Sequence, residues 1–356
     1  MRLRIIRDAL ALAALFGCGA YAAPVFQSPT DAAIASSGPG TTDAAQCAVP
    51  YGDPPRPLPS PLSVSGDLGA VLNLLNACLL KGGAPMSWTD SQKEQRHACV
   101  FVPPGTTAQA PLPLVVFLQG SLFPAPPQLI LNDWVPLTRS VDLSADPAKP
   151  GFILLLPIGR NTAHFYPFPD NDGLGWDNWY RNLDRSSPDL NLDVAAIDHF
   201  IAAVEAGGIV DTNRVYLTGW SNGAAMAQLY ALNTPSVAAA AVYSSPDPFR
   251  DVQDPCAQTP FATTMTPLMD IHNACDIVGI CQTGTKFHQD LAKLYPNLPQ
   301  YPVIVNSNKF PVQACNASCA NQTLANVGDL NHLLWPQTWN DAMFEWLRDH
   351  PLDAKH

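Results

Sequence analysis

The feature that most constrains this chain is a glycine-flanked serine turn between a strand pattern and a helix pattern. The turn reads Gly-Trp-Ser-Asn-Gly over residues 219–223. Residues 214–218 before it are typical of a short β-strand, and residues 224–231 after it are typical of an α-helix. A turn this sharp needs glycines beside the serine, because only they let strand and helix approach closely. The order predicts a nucleophile elbow that holds the Ser221 hydroxyl out at the top of a sheet.

A nucleophilic serine needs a general base, and the base needs a carboxylate that orients it. Asp276 follows the apolar strand pattern of residues 267–272, so it is predicted just beyond the carboxyl end of a sheet strand, where loops that carry chemistry lie. His332 is predicted in a loop before the last helix. The chain order serine, aspartate, histidine is the one that accompanies a nucleophile elbow.

Two other aspartates are alternative acids. Asp270 lies inside the strand pattern, and Asp329 would have to orient a histidine three residues away in its own loop. The purely structural alternatives are that Asp276 satisfies a turn and that His332 is a surface histidine.

Strand and helix patterns alternate along the chain, and the strand patterns are close to continuous apolar runs. Runs of this kind are typical of parallel strands that are buried on both faces. Strands are predicted at residues 112–119, 151–156, 214–218, 238–243, 266–271 and 301–306, with helices at 192–206 and 224–232. The alternation predicts an α/β protein with a doubly wound, mostly parallel sheet and helices on both faces. The interval between residues 243 and 266 is too short for a large lid domain.

The first 23 residues have the pattern of a secretory signal peptide. A basic start precedes a short apolar run and an Ala-Tyr-Ala-Ala cleavage site at residues 20–23. A lipid anchor through Cys18 is the lower-ranked alternative, because Phe16 is bulky for an anchor site. Residues 24–66, rich in Pro, Ala and Ser, are predicted to be a disordered tether, and residues 67–356 a single catalytic domain.

Eight cysteines remain after Cys18 is set aside, and secretion favours disulfides among them. Their connectivity does not follow from spacing alone. Pairs close in sequence are favoured, namely Cys78 with Cys99, Cys275 with Cys281 and Cys315 with Cys319, which leaves Cys47 for Cys256. A zinc site is disfavoured because two Cys-x₂-Cys pairs do not occur.

The charge of the chain excludes some classes of partner. A formal net charge of −11 argues against nucleic acid, whose recognition needs a basic face. No phosphate-binding glycine loop has the right spacing, and the apolar run of the leader is too short to span a bilayer. We therefore expect no metal, no organic cofactor and no stable membrane span.

Several further segments flank the turn in a specific order and spacing. They are residues 113–120, 175–179, 211–219, 272–276, and His332 with Trp335-Pro336. With the turn itself, the stretch from Pro111 to Pro336 resembles the extracellular poly(hydroxybutyrate) depolymerase and feruloyl esterase group of α/β-hydrolases. One departure is Gln119, where the group usually has histidine.

The resemblance implies an α/β-hydrolase fold and a secreted serine carboxylic-ester hydrolase that uses Ser221, His332 and Asp276. The oxyanion hole is expected from the backbone N–H groups of Asn222 and Ser121. The implied substrates are polyester, hydroxyalkanoate or feruloyl-type esters. Two alternatives remain: a β-diketone C–C hydrolase of the oxidised poly(vinyl alcohol) hydrolase type, and a catalytically silent hydrolase fold that acts as a binding protein.

Three tryptophans lie in segments near the predicted mouth of the site. Trp176, Trp179 and Trp220 are candidate substrate-binding residues, because aromatic faces there would stack on a feruloyl ring or line a polyester chain. The alternative is that one or more of them pack the core beneath the loops.

Overall fold

The computed structural model describes most of the chain beyond the leader and tether. The described residues are 64–120, 134–161, 174–176, 185–186, 191–249, 264–274, 276, 280–305, 319, 332, 335 and 337–352. At residues 64–70 and 161 only the backbone is described. All of them lie in the compact unit Ala45–His356. No helix in this part of the chain is long and apolar enough to cross a bilayer.

Eight of the ten described strands form one sheet. In chain order the strands are β1 Ala84–Thr89, β2 Gln95–Phe101, β3 Leu112–Leu118, β4 Ile153–Pro157, β5 Arg160–Asn161, β6 Leu174–Gly175, β7 Val210–Trp220, β8 Ala239–Tyr243, β9 Leu268–Asn273 and β10 Gln300–Val305. The order in the large sheet is β1-β2-β4-β3-β7-β8-β9-β10, and β5 pairs with β6 separately. Strand β2 is antiparallel to both of its neighbours, and every other pair from β4 to β10 is parallel.

Among the described residues, five longer helices accompany the sheet. They are α1 Val64–Leu80, α2 Leu192–Glu205, α3 Asn222–Leu232, α4 Ile280–Leu294 and α5 Asn340–Asp349. Helix α2 begins at a defined cap, because the Asn191 side chain accepts hydrogen bonds from the backbone N–H groups of Asp193 and Val194. Helix α3 begins directly after the serine of the turn.

Alternate residues of the central strands feed two separate cores, one on each face of the sheet. From β3, Leu114 and Val116 pack with helices α2, α3 and α4, while Val115 and Phe117 pack in the core that contains α5. All seven residues of β3 are buried, as expected for a parallel strand covered on both sides. The predicted doubly wound, mostly parallel sheet with helices on both faces is confirmed. Within the described residues, no additional domain interrupts it.

The predicted strands agree with the structure to within a few residues, but the β1–β2 hairpin was not predicted. Strand β2 contains Arg96, whose charge hides the apolar pattern of the strand. The structure buries that guanidinium, which donates to the carboxylate of Asp193 and lies near that of Asp90. A paired charge is tolerated inside a protein where an isolated one is not. Helix α1 also begins at Val64, slightly inside the segment that was predicted as tether.

One predicted disulfide is present and two are wrong. Cys78 on α1 bonds Cys99 on β2, as predicted. Cys281 bonds Cys319, so the predicted pairs of Cys281 with Cys275 and of Cys319 with Cys315 do not form. Nearness in sequence was a poor guide here, because the fold brings Cys319 to Cys281 at the start of α4. The remaining predictions for the leader, the tether, Cys18, Cys47 and Cys256 lie outside the described residues.

Candidate active site

The site begins at the turn between β7 and α3. Ser221 has φ 57° and ψ −124°, a backbone conformation that residues other than glycine rarely adopt. A side chain at Gly219 would place its Cβ 2.5 Å from the Gly223 oxygen, and one at Gly223 would collide with the main-chain oxygens of Leu118 and Gln119. Both glycines are therefore required by close approach of the backbone. The geometry is that of the predicted elbow.

The register of the sheet lines up the ends of three neighbouring strands. Trp220 at the end of β7 pairs with Tyr243 of β8, and Tyr243 pairs with Ile271 of β9. The next residues continue this row, because the Ser221 N–H donates to the Tyr243 oxygen at 3.0 Å and the Ser244 N–H donates to the Ile271 oxygen at 2.8 Å. Two serines thus stand side by side at the carboxyl edge of the sheet.

Ser221, His332 and Asp276 come together in one hydrogen-bonded line. His332 Nε2 lies 2.9 Å from Ser221 Oγ, and His332 Nδ1 lies 2.7 Å from Asp276 Oδ1. An ionised carboxylate only accepts hydrogen bonds, so Nδ1 carries the proton in the neutral imidazole. Nε2 is then left as an acceptor that faces the serine hydroxyl. This arrangement can remove a proton from Ser221.

The alternative acid Asp270 lies away from this line. It points from β9 toward the face of the sheet that α3 and α4 cover, where its Oδ2 accepts from Gln228 Nε2 at 2.7 Å and lies 3.2 Å from His288 Nε2. Neither Asp270 oxygen contacts His332. Of these two aspartates, Asp276, which lies beyond the strand end, is the one that lies against His332. The third alternative, Asp329, lies outside the described residues.

Ser244, which follows β8, was not predicted from the sequence as a site residue. Its hydroxyl donates to Asp276 Oδ2, and its oxygen lies 3.0 Å from His332 Nδ1. The signal that could have found it is its place directly after an apolar strand in the part of the chain that follows the elbow. A serine at a strand end is common, however, and nothing local marks this one.

Three aromatic side chains, Trp220, Tyr243 and Trp335, pack together next to His332. The Trp220 indole N–H donates to the main-chain oxygen of His332 at 2.8 Å. The Trp220 ring also packs against Tyr243 and Trp335. Burial raises the pKa of Tyr243 well above its ordinary value, and the nearby Asp276 carboxylate raises it further. The phenol beside the site therefore stays neutral at physiological pH.

Trp176 is bound into the scaffold on the other side of the elbow. It is fully buried, and its indole N–H donates to the main-chain oxygen of Gln119 at 2.8 Å. The Asn222 side chain accepts from the Trp176 N–H at 2.7 Å and donates to the Trp176 oxygen at 3.1 Å. Since Trp176 and Trp220 are 0% and 1% exposed, neither offers an open aromatic face. Both positions fit the core-packing alternative better than substrate stacking. Trp179 lies outside the described residues.

One of the two expected oxyanion donors, the Asn222 N–H, lies at the elbow. Asn222 is the first residue of α3, so its N–H is at the positive end of a helix. Gly120 lies against the elbow, because a Cβ there would be 3.4 Å from Ser221 Cβ. Ser121, the other expected donor, lies outside the described residues. The departure at Gln119 is accommodated, since its side-chain oxygen accepts from the Gly159 N–H at 3.4 Å.

The described residues contain no group of three His, Cys, Asp or Glu side chains arranged as metal ligands. The arrangement of serine, histidine and carboxylate instead suits acyl transfer, in which the protein supplies nucleophile and base directly.

The sheet order and the elbow at the end of β7 define an α/β-hydrolase. Residues 97–257 match the family model described as Esterase PHB depolymerase. The match includes the elbow but ends before Asp276 and His332. It confirms, over the segment that it covers, the resemblance indicated by the sequence motifs, and it supports an esterase. Among curated proteins, none matches the chain.

Solved structures of similar fold include several hydrolases. A thermostable esterase is 18% identical, with a TM-score of 0.46, and the comparison covers 76% of this chain and 63% of that one. An S-formylglutathione hydrolase from Agrobacterium tumefaciens is 13% identical, with a TM-score of 0.48 and coverage of 76% and 96%. A ferulic acid esterase is 11% identical, with a TM-score of 0.45 and coverage of 75% and 97%.

Proposed function

We propose that this protein is a secreted serine carboxylic-ester hydrolase that acts through an acyl-enzyme intermediate. The observation that carries the proposal is the hydrogen-bonded line from Ser221 Oγ through His332 to Asp276, with 2.9 Å and 2.7 Å between the heavy atoms. Strained backbone at Ser221 adds support, because such conformations persist where the surrounding structure enforces them and cluster at functional sites.

In the first half of the reaction, His332 Nε2 takes the proton of Ser221 as its oxygen attacks the ester carbonyl. The developing oxyanion would be held by the Asn222 N–H and by the N–H of Ser121. His332 then gives its proton to the leaving alcohol, and the acyl group remains on Ser221. Asp276 keeps Nδ1 protonated and stabilises the imidazolium that forms.

In the second half, water replaces the alcohol. His332 removes a proton from that water as it attacks the acyl-enzyme, and then returns the proton to Ser221 as the carboxylic acid leaves. Water is the co-substrate of this half, and the chain's own residues supply the nucleophile and the base. The net reaction consumes one ester and one water and yields one alcohol and one acid.

The substrate class that we propose is a polyester, hydroxyalkanoate or feruloyl-type ester. The family match over residues 97–257 supports an ester, and the resemblance of the flanking motifs supports these acyl groups. We propose secretion from the leader pattern of residues 1–23, the tether composition of residues 24–66 and the disulfide between Cys78 and Cys99.

The decisive experiment compares the wild-type protein with Ser221→Ala on a short p-nitrophenyl ester and with a fluorophosphonate probe. We expect labelling at Ser221 only, and a fall in kcat of roughly a thousandfold or more in the variant, with unchanged folding. Ser245→Ala is the matched control, because its hydroxyl bonds to the Pro246 oxygen and not to the triad. Wild-type turnover by Ser221→Ala, or a label on another residue, would refute the assignment.

A substrate panel tests the finer part of the proposal. It contains methyl ferulate, hydroxybutyrate oligomers, an aromatic polyester and a β-diketone, each given to wild type and to Ser221→Ala. Turnover of the diketone in preference to all esters would replace ester hydrolysis by C–C hydrolysis. A stable fold with no turnover and no label would indicate a binding protein.

A further inference from the structure

Ser244 directly follows the strand that lies between the strands of Ser221 and Asp276. Its strand, β8, lies between β7, which carries Ser221, and β9, which leads to Asp276. The Ser244 N–H donates to the Ile271 oxygen of β9, and the preceding residue accepts from the Ser221 N–H. The backbone of Ser244 is therefore tied to both strands that deliver the nucleophile and the acid.

The Ser244 hydroxyl completes the hydrogen bonding of the carboxylate. It donates to Asp276 Oδ2, while Oδ1 of the same carboxylate faces His332 Nδ1. The Ser244 hydroxyl oxygen is also 3.0 Å from His332 Nδ1, so the Nδ1–H can form a bifurcated hydrogen bond to Asp276 Oδ1 and Ser244 Oγ. Each carboxylate oxygen thus has its own partner, and rotation of the carboxylate would break both bonds at once.

The backbone conformation at Ser244 does not favour serine, so the presence of serine is explained by its side chain. Its φ is 59°, a value that glycine would adopt with less strain. Among the described residues, five that are not glycine have positive φ, and two of these are Ser221 and Ser244. The residue is fully buried, so its hydroxyl has no solvent-facing role.

We propose that Ser244 is a positioning residue that fixes the Asp276 carboxylate against His332, an inference that rests on the proposed hydrolase function. Its hydroxyl contacts Asp276 and His332 Nδ1, on the side of the imidazole away from Ser221. Its effect is to keep Oδ1 aimed at Nδ1 while the imidazole gains and loses its proton. This role predicts an effect on kcat and none on KM, because substrate binding does not involve the carboxylate.

The test uses Ser244→Ala and Ser244→Gly, with Ser245→Ala as the control. Both Ser244 variants should lower kcat for a p-nitrophenyl ester by about 10- to 100-fold, the loss expected for a hydrogen bond to a charged group. KM should stay unchanged, and the rate of fluorophosphonate labelling at Ser221 should fall by a similar factor. Ser245→Ala should keep wild-type kcat.

Ser244→Gly separates positioning from structure. Glycine relieves the positive φ, so this variant should be at least as stable to urea as Ser244→Ala while remaining slow. A purely structural serine would instead recover activity as stability recovers. Full activity in both variants, or recovery in Ser244→Gly alone, overturns the proposal.

A double-mutant cycle with Asp276→Asn gives a second readout. If Ser244 acts through the Asp276 carboxylate, adding Ser244→Ala should lower kcat little further in Asp276→Asn, which already lacks that carboxylate. Independent, multiplicative losses would overturn the proposal even if Ser244→Ala alone is slow. A wild-type protein that neither turns over esters nor takes the label overturns the proposed function and this inference together, whereas an active wild type with active Ser244 variants overturns only the inference.

Discussion

Two buried pairs of aspartate and histidine occur in the described part of the chain, and they differ in what the histidine faces. His332 bonds Asp276 through Nδ1 and presents Nε2 to the Ser221 hydroxyl. His288 faces Asp270 through Nε2 and presents Nδ1, at 2.8 Å, to the side-chain oxygen of Gln300. A hydroxyl can lose a proton and attack a carbonyl, whereas an amide oxygen can do neither. The partner at the second nitrogen decides which pair can carry acyl transfer.

Burial does not distinguish the two pairs. His332 is 8% exposed and His288 is 4% exposed, and both aspartates are fully buried. What differs is their place on the sheet. Asp276 lies beyond the end of β9, where the ends of three parallel strands meet, while Asp270 lies within β9 beneath α3 and α4. In an open α/β sheet, the first location carries chemistry and the second is part of the core.

A third histidine, His272, lies beside the pair of Asp270 and His288. His272 Nε2 lies 2.7 Å from the Ser245 oxygen, and because a carbonyl only accepts, that nitrogen carries a proton. Its Nδ1 lies 3.5 Å from Asp270 Oδ1, and neither of these two atoms has a hydrogen-bond partner. The hydrogen bonding of this second cluster is thus incomplete, in contrast to the Asp276 carboxylate, whose two oxygens both have partners.

The largest expected difference between the pairs is kinetic. Asp276→Asn should lower kcat by roughly 10⁴-fold, because the amide favours the wrong imidazole tautomer at His332. Asp270→Asn, the matched change in the other pair, should lower kcat by less than about tenfold, since Asp270 makes no bond to the triad. Steady-state kinetics on a p-nitrophenyl ester measure both. A larger loss in Asp270→Asn would exchange the roles that we assign to the two carboxylates.

The second difference concerns stability, and the glutamines around Asp270 provide the test. Gln228→Met should lower the free energy of unfolding by about 1–3 kcal/mol, because it removes a donor from a buried carboxylate while conserving volume. Gln300→Met is the control. Gln300 lies on the partly exposed edge strand β10 and bonds His288, so its replacement should lower the free energy of unfolding by less. Urea denaturation measures both, and kcat should change little. Equal losses in the two variants would contradict the view of Asp270 as the centre of this cluster.

Much of this comparison could be predicted from the sequence, because the deciding signals are local. The elbow shows itself in five consecutive residues, and buried parallel strands show themselves as apolar runs such as residues 153–156. The choice of Asp276 over Asp270 needed only the end of one strand pattern. These features depend on neighbours in sequence, which a reader of the chain can see.

The remaining features depend on contacts between distant segments. The contacts of Ser244 form only when β8 takes its place between β7 and β9, and the bond between Cys281 and Cys319 joins residues that are 38 positions apart. The burial of Trp176 likewise follows from its bonds to Gln119 and Asn222, which lie far away in sequence. Spacing alone contains no record of such contacts.

The smallest expected effect concerns the two tryptophans that donate to the main chain at His332 and Gln119. Trp220→Phe keeps an aromatic ring but removes the bond to the His332 oxygen, so kcat should fall by about 2- to 10-fold with KM unchanged. Trp176→Phe removes the bond to the Gln119 oxygen and should act similarly through the elbow. Both variants should lose the same factor on methyl ferulate as on a short acetate ester, because neither indole has an open face. A rise in KM confined to the aromatic ester would restore the stacking role that the sequence suggested. It would also mean that Trp176 becomes exposed during turnover, since a fully buried ring cannot otherwise reach a substrate.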